Sequence, residues 1–194
     1  MMAQTVLFGG TFDPIHNGHL EIARAAAARF DLRKVLFVPA ANPPHKTQGA
    51  HASFNDRVQM AQLATAGDER FSVSRIEEGS ERSYSILTIE KLLPVTGRLA
   101  FLIGADAFAE IETWRRWRDV VANVEFIVVT RPGAAYTAPK EAVVHELNGI
   151  EIPVSSSEVR AKLAARDFVI PVPAAVIAYI RERGLYTMEH SPNE

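Results

Sequence analysis

The sequence predicts an α/β protein built on a doubly wound parallel sheet with a small C-terminal helical part. Two observations carry this. Short, continuous apolar runs such as "TVLF" and "KVLFVP" alternate with segments whose apolar residues recur at helical spacing. The runs lack the apolar-polar alternation of a half-solvated sheet, so their strands are covered on both faces. At 194 residues, 47% hydrophobic and 23% charged, the chain fits one soluble domain spanning 1–194.

The elements follow in order. Residues 5–8 form a strand that meets Gly9-Gly10, and 19–30 place Leu20, Ile22, Ala23, Ala26, Ala27 and Phe30 on one helix face. A strand at 34–39 completes a βαβ unit, and the Pro- and Gly-containing stretch 40–53 is a long loop. A helix at 54–66, a strand at 70–76 and a helix at 83–93, ended by Pro94, continue the alternation. The segment 98–106 repeats the opening pattern of strand, glycine and polar residues. Residues 107–121 are expected to be one helix and 124–133 a strand closed by "RPG". After a polar stretch, 149–166 give a short strand and a helix, and 172–186 a last helix, with Pro173 near its start and Gly184 at its end.

Composition narrows the chemistry. The absence of cysteine removes disulfides, thiol catalysis and Cys-ligated zinc, and the six histidines form no HExxH pair. A formal net charge of −2 gives no bulk attraction to nucleic acid or to an anionic membrane. No apolar run approaches the roughly 20 residues of a bilayer span. The start "MMAQTVLFGG" lacks the basic region of a secretory signal, so the cytoplasm is the expected compartment. Any anion site must therefore be local, and a homo-oligomer stays open.

Three motif-like stretches, 9–19, 104–117 and 153–160, follow expected strands, and a doubly wound sheet binds its ligand outside the carboxyl ends of its strands. Neither GxxxxGK[ST] nor GxGxxG occurs. "HNGH" stands instead at a helix start, where free N–H groups and the dipole favour an anion; His16 and His19, three residues apart, can face one ligand. The plainer reading is that His16 caps the helix and His19 is a first-turn residue. "PPHKT" offers Lys46 to a phosphate or leaves it a solvated surface residue. In "SSSEVR", Ser155 and Glu158 fit a capping box, while the hydroxyls and Arg160 also suit a phosphate. Trp114 and Trp117, expected on one helix face, are core residues or a platform for a flat ring. Asp106 caps a helix or accepts from ribose hydroxyls.

Taken in order, "GGTFDPIHNGHL", "NPPHK", "SYSI", "GADAFAEIETWRRW", "RPG", "SSSEVR" and "VIAYIRERGLY" resemble the bacterial nicotinate mononucleotide adenylyltransferases of the HxGH nucleotidyltransferase superfamily. The resemblance spans nearly the whole chain and implies a Rossmann-like fold and transfer of AMP from ATP to nicotinate mononucleotide, giving deamido-NAD. It implies ATP contacts by Gly9, Gly10, Thr11, Phe12, His16, His19, Gly104, Asp106, Ser156, Ser157 and Arg160. It implies mononucleotide contacts by Asn42, Lys46, Arg57, Tyr84, Ser85 and Trp117, the last as the stacking residue, with His16, His19, Lys46 and Arg160 as the catalytic set. Ser85 stands where the family usually has Thr, and "DFVI" replaces its basic and aromatic pair before Pro171.

A phosphate nucleophile, with a second pKa of about 6, is already ionised at pH 7 and needs no general base. Catalysis is then positioning and charge stabilisation, with Mg2+ carried mainly on the ATP phosphates and no protein metal ligand. The alternatives are an adenylyltransferase for nicotinamide mononucleotide or phosphopantetheine, and a non-catalytic nucleotide-binding module.

Overall fold

Five of the apolar runs become strands. The computed structural model describes residues 2–43, 49–130, 136–150 and 153–187. Its strands are β1 (Thr5–Gly10), β2 (Lys34–Pro39), β3 (Phe71–Val73), β4 (Ala100–Gly104), β5 (Glu125–Val129) and β6 (Val143–Leu147). All are parallel, in the order β3-β2-β1-β4-β5-β6. This is the order of dinucleotide-binding sheets, and its topological switch lies between β1 and β4. There the ladder is short: only Val6↔Ala100 and Leu7↔Phe101 pair, so Phe8 to Gly10 have no ladder partner on β4.

The period-two alternation sorts the strand residues onto two faces. Val6, Phe8, Val35, Phe37, Ala100, Leu102 and Ile127 point into one core. It is closed by α1 (Asn17–Arg29), α2 (Phe54–Thr65), α6 (Ser156–Ala164) and α7 (Ala174–Arg183). Leu7, Leu36, Val38, Phe101, Ile103, Phe126 and Val128 point into the other, closed by α3 (Ser85–Thr96), α4 (Ala105–Ala109) and α5 (Trp117–Asn123). Ala23, Ala26 and Ala27 are fully buried, and these small side chains let α1 lie close to the sheet. The C-terminal helices are thus part of the first core rather than an appendage.

Four expectations change. The region 107–121 is not one helix: α4 is followed by a 3-10 turn at Ile111–Thr113, Trp114 is extended, and Arg116 takes a left-handed conformation (φ 53) before α5. Pro94 lies inside α3 and does not end it; Gly97 does, at φ 70, which suits a residue without a Cβ. The strand expected within 149–154 is not found at the described residues 149, 150, 153 and 154, and β6 lies earlier, in the stretch read as polar. α1 begins two residues earlier than expected, at Asn17, directly after His16. Gly184 closes α7 at φ 61, as its position implied.

Candidate active site

A cavity of about 470 Å³ opens at the switch point. Gly9, Gly10 and Thr11 at the end of β1 form one side, and Ile103 and Gly104 at the end of β4 face them. The start of α3 brings Tyr84 and Ser85, and the broken segment after α4 brings Trp114 and Arg115. The volume lies in the range of small-ligand sites.

The turn beyond Gly10 is fixed by its own side chains. Phe12 adopts φ 51, and its ring packs edge-on against His19 at 5.0 Å. A Cβ on Gly10 would lie 2.9 Å from that ring, so glycine is required there. His16, extended at φ −140, is the N-cap of α1, and its N–H donates to Nδ1 of His19 at 3.2 Å. The imidazoles stack with centroids 3.7 Å apart. Because Nδ1 of neutral His19 accepts, its proton sits on Nε2. The capping role and the paired presentation of the rings therefore coexist.

Burial pulls the His16 pKa down to about 4, partly offset by the Glu158 carboxylate. Burial, reinforced by His16, holds the His19 pKa well below 6.5. Both rings are neutral N–H donors at pH 7 in the ligand-free protein, rather than standing cations.

The same turn is anchored by Asp13, fully buried, whose carboxylate accepts from the N–H of His51 (2.8 Å), the N–H of Ala52 (3.0 Å) and the hydroxyl of Tyr186 (2.8 Å). Burial pushes the Asp13 carboxyl up, but these donors and the Arg160 charge outweigh it and hold the pKa below the usual carboxylate value. Burial, with Asp13 beside it, pushes the Tyr186 hydroxyl far above its ordinary pKa. From the C-terminal side, Ser156 donates to the Pro14 carbonyl at 3.0 Å, and Arg160 donates to the Asp13 carbonyl at 2.7 Å and to the Ser157 hydroxyl at 3.2 Å. The Pro171 carbonyl accepts the Asn17 N–H at 2.8 Å.

Residues 7–162 match the cytidylyltransferase-like family. The fold is similar to that of Plasmodium falciparum nicotinic acid mononucleotide adenylyltransferase complexed with NaAD, with a TM-score of 0.79 over 94% of this chain and 96% of that one, at 19% identity. A protein of Solibacter usitatus named a probable nicotinate-nucleotide adenylyltransferase is 58% identical over 184 residues, covering 93% of this chain and 97% of that protein. The chain belongs to the nicotinate-nucleotide adenylyltransferases. A member of the same name from Neisseria meningitidis serogroup C is 38% identical over 200 residues, covering 95% of this chain and 99% of its own length.

Of the residues implied as substrate contacts, Gly9, Gly10, Thr11, Gly104, Tyr84 and Ser85 line the cavity. Phe12, His16 and His19 form the adjoining turn. Ser155 and Glu158 make the reciprocal capping box, so the carboxylate is engaged by the cap. Asp106 is exposed in the first turn of α4. Asn42 does not line the cavity; its side-chain amide donates to the Glu81 carbonyl at 2.5 Å, and its N–H to the Ser83 hydroxyl at 2.9 Å, tying the loop after β2 to the approach to α3. Lys46 lies outside the described residues.

Two assignments are corrected. Arg57, implied as a mononucleotide contact, is 1% exposed. Its guanidinium donates to the carbonyls of Thr11 and Ala40 (both 2.7 Å) and Ala52 (3.2 Å), stitching together the loops after β1 and β2. Trp117 is not a cavity residue; Trp114 is, and Arg118 covers the Trp117 ring at 4.4 Å. The sequence reading also missed Asp13 and Tyr186 as anchors and Glu77 as a cavity-lining carboxylate, held by the Thr88 hydroxyl (2.6 Å) and the Ala41 N–H (3.3 Å). The acidic residue inside "GGTFDPIHNGH" was a readable signal for the first; nothing local marked the others.

Proposed function

We propose that this protein transfers the adenylyl group of ATP to nicotinate mononucleotide. A phosphate oxygen of the mononucleotide attacks the α-phosphorus, the bond to the bridging oxygen of the β-phosphate breaks, and deamido-NAD and pyrophosphate form. The observation that carries the reading is the stacked pair His16 and His19 at the start of α1, beside a cavity at the β1–β4 switch walled by Tyr84 and Trp114.

The phosphate is the nucleophile in its ionised form, so the neutral histidines serve as donors to phosphate oxygens and gain charge as the polyanion raises their pKa. Arg160 and Ser157, at the start of α6, extend this surface, and Lys46 is assigned to it by motif. Trp114 offers a face to the pyridine ring. The donor set near the turn is imidazole, hydroxyl, guanidinium and backbone amide, with Asp13 spent on His51, Ala52 and Tyr186. These groups fit a magnesium–triphosphate whose metal is held by the phosphates, and bound Mg2+ would neutralise charge there. Among the described residues no helix is long and apolar enough to cross a membrane, and the reading keeps the reaction in the cytoplasm.

The test is pyrophosphate release from Mg-ATP with nicotinate mononucleotide, nicotinamide mononucleotide and phosphopantetheine in parallel. Release with the first is expected, and kcat falls about 100-fold in His19→Ala, as on losing a transition-state donor. No release with any acceptor would leave a nucleotide-binding module instead.

A further inference from the structure

Arg115 has no role in the set assigned above. Its neighbours in sequence are satisfied: Arg116 bridges Glu90 (2.8 Å) and Asp119 (2.6 Å), and Arg118 lies over Trp117. Arg115 has no hydrogen bond or ion pair to any described residue, and its guanidinium carbon sits 4.7 Å from the centroid of the Tyr84 ring. Both residues line the cavity, beside Trp114 and Ser85. The cation–π contact with Tyr84 holds the guanidinium on the wall without using its N–H donors, which stay available to a planar carboxylate. Among the described residues the other charged group in the wall, Glu77, has its two oxygens occupied by Thr88 and Ala41.

We infer that Arg115 determines specificity for the acid form of the pyridine, by pairing with the ring carboxylate stacked near Trp114. This rests on the adenylyltransferase reading. The carboxylate of nicotinate mononucleotide and the amide of nicotinamide mononucleotide have nearly the same shape and differ by one negative charge. An unpaired cation fixed on the cavity wall discriminates by that charge alone. Arg115 is exposed, so solvent screens the pair and the expected discrimination is modest.

The test measures kcat/KM of wild type, Arg115→Gln and Arg115→Lys for both mononucleotides at two salt concentrations. In Arg115→Gln the acid-over-amide ratio falls about tenfold, which corresponds to about 1.4 kcal/mol. Arg115→Lys keeps part of the preference, and raised salt shrinks the wild-type ratio more than the Gln variant's. Affinity for each mononucleotide without ATP, read from tryptophan fluorescence, shifts in the same direction. An unchanged ratio overturns the inference. An equal loss for both acceptors also overturns it, because it places the guanidinium on their common phosphate. A wild-type enzyme that adenylylates neither acceptor defeats the underlying function instead.

Discussion

Acidifying the solution should destabilise this protein before its carboxylates begin to protonate, because the unfolded chain takes up protons that the fold refuses. In the unfolded state His16 titrates near 6.5, whereas in the fold burial lowers it to about 4. The group is neutral in both states above 6.5, so stability is unaffected there. As pH falls through 6.5 the unfolded state binds the proton first, and stability declines until the folded pKa is reached. At about 1.4 kcal/mol per pH unit the full loss is about 3 kcal/mol, of which about 2.5 kcal/mol has gone by pH 4.5. His19, lowered in the same sense, adds its own share. Asp13, Asp56 and Glu158, whose pKa values are depressed from 3.8 or 4.5, lose most of their contributions only below that range. Urea unfolding followed by fluorescence at pH 7.5, 6.5 and 5.5 reads chiefly the histidines, and the point at pH 4.5 adds a smaller loss from glutamates whose folded pKa lies below 4.5. His16→Gln/His19→Gln should lose most of the slope. If the double variant loses stability between pH 6.5 and 4.5 as steeply as wild type, the buried-histidine account is wrong.

Trp114→Ala should raise KM for nicotinate mononucleotide about tenfold or more, the worth of one aromatic stack, while Trp117→Ala keeps it within about twofold; steady-state kinetics showing the reverse would restore Trp117 as the platform. Arg57→Met should cost about 3 kcal/mol or more in urea unfolding, since the Thr11, Ala40 and Ala52 carbonyls lose a buried charged donor; a loss under about 1 kcal/mol would show the loops are held otherwise. Tyr186→Phe deletes one hydrogen bond to the buried Asp13 carboxylate and should cost about 1.5 kcal/mol, visible as a lower urea midpoint at unchanged slope.

The parts of the fold legible in the sequence are those where burial on both faces leaves an unbroken apolar run. β1, β2, β4 and β5 are of this kind. β6 is an edge strand in which Leu147 alone is fully buried, so "VVHEL" carries no such run. The break between α4 and α5 was invisible for another reason: Arg116 holds a left-handed conformation with no glycine or proline to announce it. That break separates Trp114 from Trp117, so a shared helix face could not tell which one lines the cavity. The histidine turn was legible because its chemistry is local. Arg57 was implied as a substrate contact by the resemblance alone, and only tertiary packing reveals that its donors are taken by carbonyls. Arg115, among three arginines in "WRRWR", became distinguishable once Tyr84 was found beneath it.

Three of the contacts that hold the turn after β1 come from residues far along the chain. Ser156 reaches Pro14 across 142 residues, Arg160 reaches Asp13 across 147, and Tyr186 reaches Asp13 across 173. During synthesis the segment carrying His16 and His19 is made well before the residues of α6 and Tyr186 that tie it down. A nascent chain that has emerged only through β6 has every strand of the sheet and lacks these three ties on its histidine turn. A chain cut short before α6 would keep the sheet and the ties from His51, Ala52 and Arg57, and lose only those made by α6 and Tyr186.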